Sequence, residues 1–238
     1  IIGTGATALQ CIPHLGQWAQ KLYVFQRTPS SVAERGNRPT DPAWAAGLEP
    51  GWQRERMENF TRVTAGVELD LDLTDDGWTR NALELTDPAV IRETARLGRE
   101  MTPEEIAEFL YRADFEAMER LRARIGRIVR DEKTAESLKP WFKLMCKRPG
   151  YHDEYLETFN RDNVELVDTD GHGVQRFTES AAVVDGIEYE LDALIFATGF
   201  EVGTEFTRRL ASYQPGFEIY LQFDSLRADP ERGGGYRP

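Results

Sequence analysis

The chain has 238 residues, 40% of them hydrophobic, which suffices for one large domain or for one domain that carries a sizeable insertion. Its formal net charge of −12 argues against nucleic acid as a partner, because a polyanion would meet an unfavourable overall field unless a local basic patch were present. The composition also predicts a cytoplasmic protein without membrane contact, since no stretch approaches the ~20 apolar residues of a membrane span and no secretory signal is recognisable.

The first part of the chain, residues 1–40, is predicted to begin a β-α-β unit. An apolar pair runs straight into a glycine-rich turn and is shorter than a strand of the usual ~5 residues, so we expect the first strand to be truncated. Apolar residues at helical spacing predict a helix over residues 6–19. The β-branched and aromatic content of residues 21–27 predicts a buried strand, which turn-forming residues end.

The middle of the chain, residues 41–140, is rich in charge and in helix formers and is predicted to be a helical insertion. It shows few strand signals beyond the short run 67–73. Three predicted helix starts carry a cap residue followed by proline, namely Asp41-Pro42, Asp87-Pro88 and Thr102-Pro103. At the third start, Glu105 completes a capping box.

The helix that begins at Thr102 has the clearest pattern. Its apolar residues recur at spacings of three and four and form one stripe, which consists of Ile106, Phe109, Leu110, Ala113, Ala117, Leu121, Ile125 and Ile128. Such a stripe is typical of a face that packs on the protein's own core, and a partner-binding helix is the alternative.

Residues 141–212 are predicted to return to the α/β pattern and to complete the first domain. The predicted elements are a helix over residues 153–159, a strand over 163–167, a hairpin over 174–191 and an apolar strand over 192–200. Residues 213–238 lose this pattern and are predicted to form an irregular tail. The fold class predicted is therefore α/β, a Rossmann-like dinucleotide-binding domain with a helical insertion, truncated at both ends.

A glycine pattern, Gly3-x-Gly5-x-x-Ala8, lies between the first strand and the first helix. In this context Gly3 permits a tight turn and Gly5 lets the backbone approach a pyrophosphate. Ala8 is small enough for the helix to press on the sheet, and the helix N-terminus offers unpaired N–H groups to phosphates. The pattern predicts a dinucleotide site, and a chance match in a tight turn is the alternative.

The end of the second strand indicates which dinucleotide is bound. An NAD site places a carboxylate there to accept from the ribose 2′-hydroxyl, whereas a 2′-phosphate requires a cation. Here the strand ends in Arg27 and Thr28, which offer a planar guanidinium fork and a hydroxyl donor. The sequence therefore favours NADP(H), with a solvated surface arginine as the alternative.

A second cationic point is formed by Lys147 and Arg148. If this pair is extended, the two side chains face opposite ways, so that one can address the nucleotide phosphate and the other an active site. Taken alone, such a pair in an acidic protein is more often a solvated charge pair.

The cysteines and histidines of the chain are few and scattered. Cys11 and Cys146 lie far apart and form no C-x-x-C pair. His14, His152 and His172 lack the close spacing of zinc ligands. We therefore expect neither a metal site nor a disulfide scaffold.

Five motifs follow one another along the chain. They are Gly-Thr-Gly-Ala-Thr-Ala at 3–8, Phe25-Gln26-Arg27-Thr28-Pro29, Cys146-Lys147-Arg148-Pro149, Phe159-Asn160-Arg161-Asp162-Asn163-Val164-Glu165-Leu166-Val167-Asp168 and Phe196-Ala197-Thr198-Gly199-Phe200. Together they resemble the NADP domain of Baeyer–Villiger monooxygenases, the group that contains cyclohexanone and phenylacetone monooxygenases. The resemblance spans most of residues 1–210.

This resemblance implies specific roles for site residues. Arg27, Thr28 and Lys147 would hold the 2′-phosphate, and Arg148 would be the active-site arginine beside the flavin. The remaining cofactor-binding residues that it implies are Gly3, Thr4, Gly5, Ala6, Thr7, Ala8, Gln10, Thr198 and Gly199.

The resemblance also implies a reaction and its participants. In this family NADPH reduces FAD, and oxygen is then inserted beside a ketone carbonyl to give an ester or lactone. The FAD-binding glycine fingerprint is absent from this chain, so FAD would be bound mainly by another domain, and we expect the chain alone to hold nucleotide weakly and to catalyse nothing. The alternatives are part of a flavin monooxygenase that hydroxylates nitrogen or sulfur, and a non-catalytic NADP-binding or degenerate fragment.

Overall fold

Residues Ile1–Thr198 form one compact unit of the chain. The computed structural model describes residues 1–67 and 69–199. The predicted tail over 213–238 and the last residues of the segment predicted over 141–212 therefore lie outside the described residues.

The described residues form an α/β chain, as the sequence predicts. The helices are α1 (Ala6–Trp18), α2 (Pro42–Ala46), α3 (Trp52–Thr64), α4 (Gly77–Leu85), α5 (Asp87–Leu97), α6 (Pro103–Ile128), α7 (Glu132–Leu138) and α8 (Tyr155–Thr158). The strands are β1 (Leu22–Gln26), β2 (Val32–Ala33), β3 (Gly150–Tyr151), β4 (Val164–Asp168), β5 (Arg176–Phe177), β6 (Ala181–Val184) and β7 (Ile187–Glu190). A 3-10 turn, Leu144–Cys146, precedes β3.

Parallel pairing organises the part of the fold around the glycine turn. Strand β1 pairs in parallel with β4, in a register that runs from Leu22 opposite Val164 to Gln26 opposite Asp168. On the other side of β1, Ile2 forms parallel bridges to both Phe25 and Phe196. Ile2, α1 and β1 thus form a β-α-β arrangement, in which the turn after Ile2 leads into the helix.

The strand predicted over residues 192–200 is wrong in its extent. The described part of this run contains an isolated bridge at Phe196, where Ile2 N–H donates to Ile195 O over 2.9 Å and Ala197 N–H donates to Ile2 O over 2.8 Å. Its partner is a single residue that enters the turn at Gly3, so the ladder does not continue. The side chains are also less buried than the apolar run predicts, since Ile195 is 39% exposed and Phe196 is 62% exposed.

Strands β5, β6 and β7 form an antiparallel sheet that confirms the hairpin predicted over residues 174–191. The turn between β6 and β7 consists of Asp185 and Gly186, whose φ angles are 49° and 79°. Two successive positive φ angles match the right-handed twist of a tight hairpin, which is why Asp-Gly is favoured there.

The main core lies between α1, β1, α6 and α8. Ala8 and Ile12 of α1 are fully buried, and they share one cluster with Val24, Ile125 and Tyr155. The helix and strand approach each other closely because the buried positions of α1 carry small or branched side chains. The core therefore fixes the N-terminus of α1 beside the end of β1.

The C-terminal end of α1 is held by one amide side chain. Asn163 Nδ2 donates to Gly16 O over 3.0 Å and to Ala19 O over 2.8 Å. These contacts satisfy carbonyls that the end of a helix leaves unpaired. Because Asn163 immediately precedes β4, the contacts also tie α1 to the strand beside β1.

Two of the three predicted helix starts agree with the structure. Asp41 caps α2, and Thr102 and Glu105 form the capping box of α6. The third prediction is off by one residue, because Thr86 is the N-cap of α5 and Asp87 lies in its first turn. Around the run predicted at 67–73, the described residues contain no strand.

The apolar stripe of α6 is buried mainly in its C-terminal half. Leu121 and Ile125 are buried there, together with Met118 and Arg122, which the stripe did not include. Arg122 is accommodated because its Nη1 donates to Pro140 O over 2.8 Å and its Nη2 pairs with Glu119 over 2.5 Å. Among the helices that the structure describes, none is both long and apolar enough to cross a membrane.

Candidate functional site

The glycine turn between Ile2 and α1 is closed by contacts that leave no room for a side chain at its first glycine. Gly3 has a φ of +110°, and a Cβ atom there would lie 2.4 Å from Ala197 O. Its N–H donates to Phe25 O over 3.0 Å. Gly3 therefore allows three chain segments to meet at the point where the helix begins.

The second glycine of the turn faces open space. Gly5 is the N-cap of α1, makes no side-chain cap, and would carry a Cβ atom with no neighbour within 4 Å. Gly5, Ala6 and Thr7 are exposed, whereas Ala8 is fully buried against the core. The N-terminus of α1 thus presents uncapped N–H groups and a partial positive charge at an accessible surface.

Hydrogen bonds connect the turn to the residues that follow β1. Thr4 is buried, and its Oγ1 donates to Thr28 O over 2.9 Å. Lys147 Nζ donates to Thr28 Oγ1, although the two residues lie 119 positions apart in the sequence. The fold therefore brings together the turn, Thr28 and Lys147, as the sequence hypothesis requires.

Arg27 lies near Lys147 and adds a second positive charge beside it. Arg27 is exposed at the end of β1. The pKa of Lys147 is lowered from its ordinary value, first by burial and then by the nearby charge of Arg27. Two cations that repel each other at an accessible surface provide a binding place for an anion, because an anion between them relieves the repulsion.

Lys147 and Arg148 point to different surroundings. The backbone of Lys147 is extended, with φ −130° and ψ 157°. Its Nζ lies 4.7 Å from the centroid of the Phe142 ring, whereas the guanidinium carbon of Arg148 lies 5.3 Å from the centroid of the Trp78 ring. Adjacent residues of an extended segment thus address two different regions.

The surroundings of Arg148 include residues that no motif of the sequence marks. Trp78 and Asn81 of α4 both reach Tyr151, with the Trp78 and Tyr151 rings 5.0 Å apart and Asn81 Nδ2 donating to the Tyr151 hydroxyl. Burial raises the pKa of Tyr151 to about 12, so its hydroxyl stays protonated at neutral pH. The capping sequence that begins at Asp76 could have revealed the start of α4, but its contact with Arg148 depends on the tertiary fold.

The remaining predicted site residues are Gln10, Thr198 and Gly199. Gln10 is exposed, and its Nε2 donates to Ala6 O of its own helix over 3.2 Å. Thr198 N would lie 3.5 Å from a Cβ atom at Gly3, and Gly199 has a φ of +98°. Within residues 1–67 and 69–199, no group of three or more His, Cys, Asp or Glu side chains could hold a metal ion.

The geometry defines an α/β chain with an accessible helix N-terminus beside a cationic cluster. Comparison with known proteins agrees with the family that its motifs indicate. The chain is 54% identical to neopentalenolactone D synthase of Streptomyces avermitilis over 100% of its own length and 38% of that protein. It is 51% identical to a Baeyer–Villiger monooxygenase of Stachybotrys chlorohalonatus, over 89% of the chain and 33% of that protein. No family model matches the chain.

Solved structures give the same result. A polycyclic ketone monooxygenase from Thermothelomyces thermophila matches with a TM-score of 0.68 and 46% identity, over 84% of this chain and 32% of that one. A steroid monooxygenase bound to NADP matches with a TM-score of 0.61 and 27% identity, over 84% of this chain and 38% of that one. The resemblance to Baeyer–Villiger monooxygenases is thus confirmed, and the chain spans between about a third and two fifths of the length of the relatives it matches.

Proposed function

We propose that this chain is the NADPH-binding part of an FAD-dependent monooxygenase that inserts one oxygen atom beside a ketone carbonyl. The observation that carries the proposal is the convergence of Arg27, Thr28 and Lys147 beside the uncapped N-terminus of α1. A dinucleotide with a third phosphate group is the ligand whose charges match this arrangement.

In this proposal the nucleotide binds across a Rossmann-like β-α-β unit. The pyrophosphate lies at the N-terminus of α1, where Gly5 leaves room and the N–H groups of Ala6 and Thr7 are available. The other residues that line the nucleotide site are Gly3, Thr4, Ala8, Gln10, Thr198 and Gly199. Gly3 and Ala8 act by allowing the segments around the site to approach closely.

The 2′-phosphate is the group that the cationic cluster selects. Arg27 provides a planar fork for two phosphate oxygens, and Lys147 provides a point charge whose position Thr28 fixes. Neither residue would gain from the uncharged 2′-hydroxyl of NADH to the same degree. NADPH is therefore the reductant in this proposal.

The overall reaction balances with one reductant and one oxygen molecule. A ketone, O₂, NADPH and a proton give an ester or lactone, NADP⁺ and water. FAD, bound mainly by the rest of the enzyme, supplies the hydride acceptor and the oxygen chemistry. The names of two relatives support the ketone as substrate: a polycyclic ketone monooxygenase, 48% identical, and the ketocytochalasin monooxygenase of Aspergillus clavatus, 47% identical.

Arg148 is the residue of this chain that we assign to the oxygenation step. Among the described residues, the structure gives its guanidinium no hydrogen bond and no ion pair, so that its N–H donors are free for a ligand. An arginine keeps its charge near neutral pH even in an apolar pocket. A fixed cation stabilises negative charge that develops on oxygen, and does so more strongly where water is excluded.

The experiment uses the whole flavoenzyme that contains this segment, with NADPH, ¹⁸O₂ and a cyclic ketone. We expect one labelled oxygen atom in the lactone product. Arg148→Ala should retain FAD and NADPH oxidation while abolishing lactone formation, and Arg148→Lys should restore little, because lysine lacks the planar fork.

Two results would count against this function. A wild-type enzyme that oxidises NADPH but never transfers label to a ketone would contradict the assigned reaction. Near-normal lactone formation by Arg148→Ala would remove Arg148 from the mechanism and leave the nucleotide site as the chain's contribution.

A further inference from the structure

We infer that Trp78 is a positioning residue for Arg148, an assignment that rests on the proposed function. The guanidinium carbon of Arg148 lies 5.3 Å from the centroid of the indole ring, within the range of a cation–π contact. Trp78 is half-buried, whereas Arg148 is exposed. The more fixed of the two side chains is therefore the ring, and the ring sets the direction of the cation.

Trp78 is held at the start of α4 by a complete cap. Asp76 Oδ1 accepts from Trp78 N–H over 2.8 Å and from Thr79 N–H over 3.1 Å. Thr79 Oγ1 in turn accepts from Asp76 N–H over 3.1 Å. Because Trp78 stands in the first turn of the helix, the cap fixes the backbone from which its ring projects.

A second set of contacts fixes α4 against the segment that carries Arg148. A Cβ atom at Gly77 would lie 2.2 Å from the ring of Tyr151, so that only glycine allows this approach. Asn81 Nδ2 donates to the Tyr151 hydroxyl, and the Trp78 and Tyr151 rings lie 5.0 Å apart. Tyr151 is three residues beyond Arg148 and belongs to β3. Helix α4 therefore contacts both Arg148 and the strand that follows it.

This arrangement suits the task that we propose for Arg148. A ring beneath the plane of a guanidinium restrains its orientation without occupying the N–H donors, which lie at the edge of the plane. A carboxylate partner would restrain it equally well, but would also neutralise the charge that the oxygenation step requires. Among the described residues, Arg148 has the ring and no carboxylate.

The contact between Trp78 and Arg148 connects the helical region to the proposed reaction. Trp78 lies in the segment predicted to be a helical insertion, 70 positions from Arg148. With Lys147 directed toward Thr28 and Arg148 directed toward Trp78, one dipeptide connects the nucleotide site to α4. The alternative is that Trp78 is purely structural and packs on Tyr151 alone. An experiment must distinguish this packing role from the positioning of Arg148.

The test compares Trp78→Leu, which removes the ring, with Trp78→Phe, which keeps a smaller one, in the whole flavoenzyme. We expect Trp78→Leu to lower kcat for lactone formation about 2- to 30-fold, the range of a cation–π contact, with Trp78→Phe closer to wild type. Flavin content and the rate of flavin reduction by NADPH should not change. The matched control is Trp44→Leu, because Arg56 lies at the same 5.3 Å from the Trp44 ring.

A double-mutant cycle separates positioning from packing. If Trp78 acts through Arg148, the loss of unfolding free energy that Trp78→Leu causes should shrink once Arg148 is alanine, as urea unfolding of the single and double variants measures. A structural role predicts the opposite, namely that the two losses add. Additive losses, or a Trp78→Leu variant that is no slower than the Trp44→Leu control, would overturn the inference.

An NMR measurement without substrate turnover tests the contact between Trp78 and Arg148 independently of the proposed function. In enzyme labelled only at arginine, the ¹⁵N–¹H signal that is missing from Arg148→Lys belongs to Arg148. We expect this signal to move in Trp78→Leu, because the indole ring current is lost, and to move less in Trp78→Phe. A signal that stays in place in Trp78→Leu would show that the ring does not hold Arg148, whatever reaction the enzyme catalyses.

Discussion

Gly3 and Gly5 stand two residues apart, yet the structure explains each glycine differently. At Gly3 the backbone has a φ of +110° and Ala197 O occupies the place of a side chain. At Gly5 the backbone has an ordinary φ of −78° and the space around it is open. The first glycine therefore serves the fold, and in the proposed function the second leaves room for the nucleotide.

This difference gives opposite expectations for two similar substitutions. Gly3→Ala should destabilise the chain by about 1–3 kcal/mol or more, because strain at positive φ adds to a contact with backbone that cannot move aside. Gly5→Ala should leave stability almost unchanged but weaken NADPH binding, because the added methyl group takes the room of the pyrophosphate. Urea unfolding and NADPH titration of both variants measure the two effects. Equal stability losses in the two variants would contradict this division of roles.

At the scale of single residues, the sequence indicated which side chains could bind a nucleotide, but not how these side chains contact their neighbours. Arg27 and Thr28 could be proposed because a strand end beside a glycine turn has known chemical requirements, whereas Lys147 was proposed from the resemblance to Baeyer–Villiger monooxygenases. The bond from Thr4 to Thr28 and the ring of Trp78 under Arg148 could not be proposed. Each depends on how distant segments pack, which no local pattern encodes.

At the scale of elements, helix α8 holds a buried hydroxyl without a partner. Tyr155 is 1% exposed, its Oη has no hydrogen-bond partner among the described residues, and burial raises its pKa. Tyr155 belongs to the same core cluster as Ile12 of α1. The core that positions α1 thus contains a polar group whose removal should be favourable.

We expect Tyr155→Phe to stabilise the chain by about 1 kcal/mol, because an unsatisfied buried group costs about 1–3 kcal/mol and the ring is kept. The matched control is Tyr151→Phe, which should destabilise, because the Tyr151 hydroxyl accepts from Asn81. Urea unfolding of both variants checks the two signs. A loss of stability in Tyr155→Phe would mean that its hydroxyl has a partner after all.

Elements with complete local signals were predicted well from the sequence. Thr102 and Glu105 mark the start of α6 because a capping box is formed by neighbouring residues. Helix α4 was not predicted as an element, since its box uses Asp76 and Thr79, with threonine where the usual signal has Glu or Gln. The strand over 192–200 was wrong because its pairing depends on Ile2, and an apolar run does not specify its partner.

At the scale of the whole molecule, the net charge of −12 opposes the binding of an anionic cofactor. Local cations must therefore offset the field of the chain at the nucleotide site. Arg27 and Lys147 come from segments about 120 residues apart and share this place only in the folded state. In the proposed function, nucleotide selection is thus a property of the fold that composition alone would not predict.

We propose that Arg27, Thr28 and Lys147 together select NADPH through its 2′-phosphate. A hydrogen bond to a charged group contributes about 1.5–3 kcal/mol, so Arg27→Ala should weaken NADPH binding roughly 10- to 150-fold at 25 °C. NADH lacks the phosphate and should bind almost unchanged, and the loss for NADPH should shrink at high salt.

The deciding measurement is a calorimetric titration of wild type and Arg27→Ala with both nucleotides. A loss confined to NADPH is the result that we predict. An equal loss for NADPH and NADH would contradict the claim, because Arg27 would then support the structure rather than recognise the phosphate.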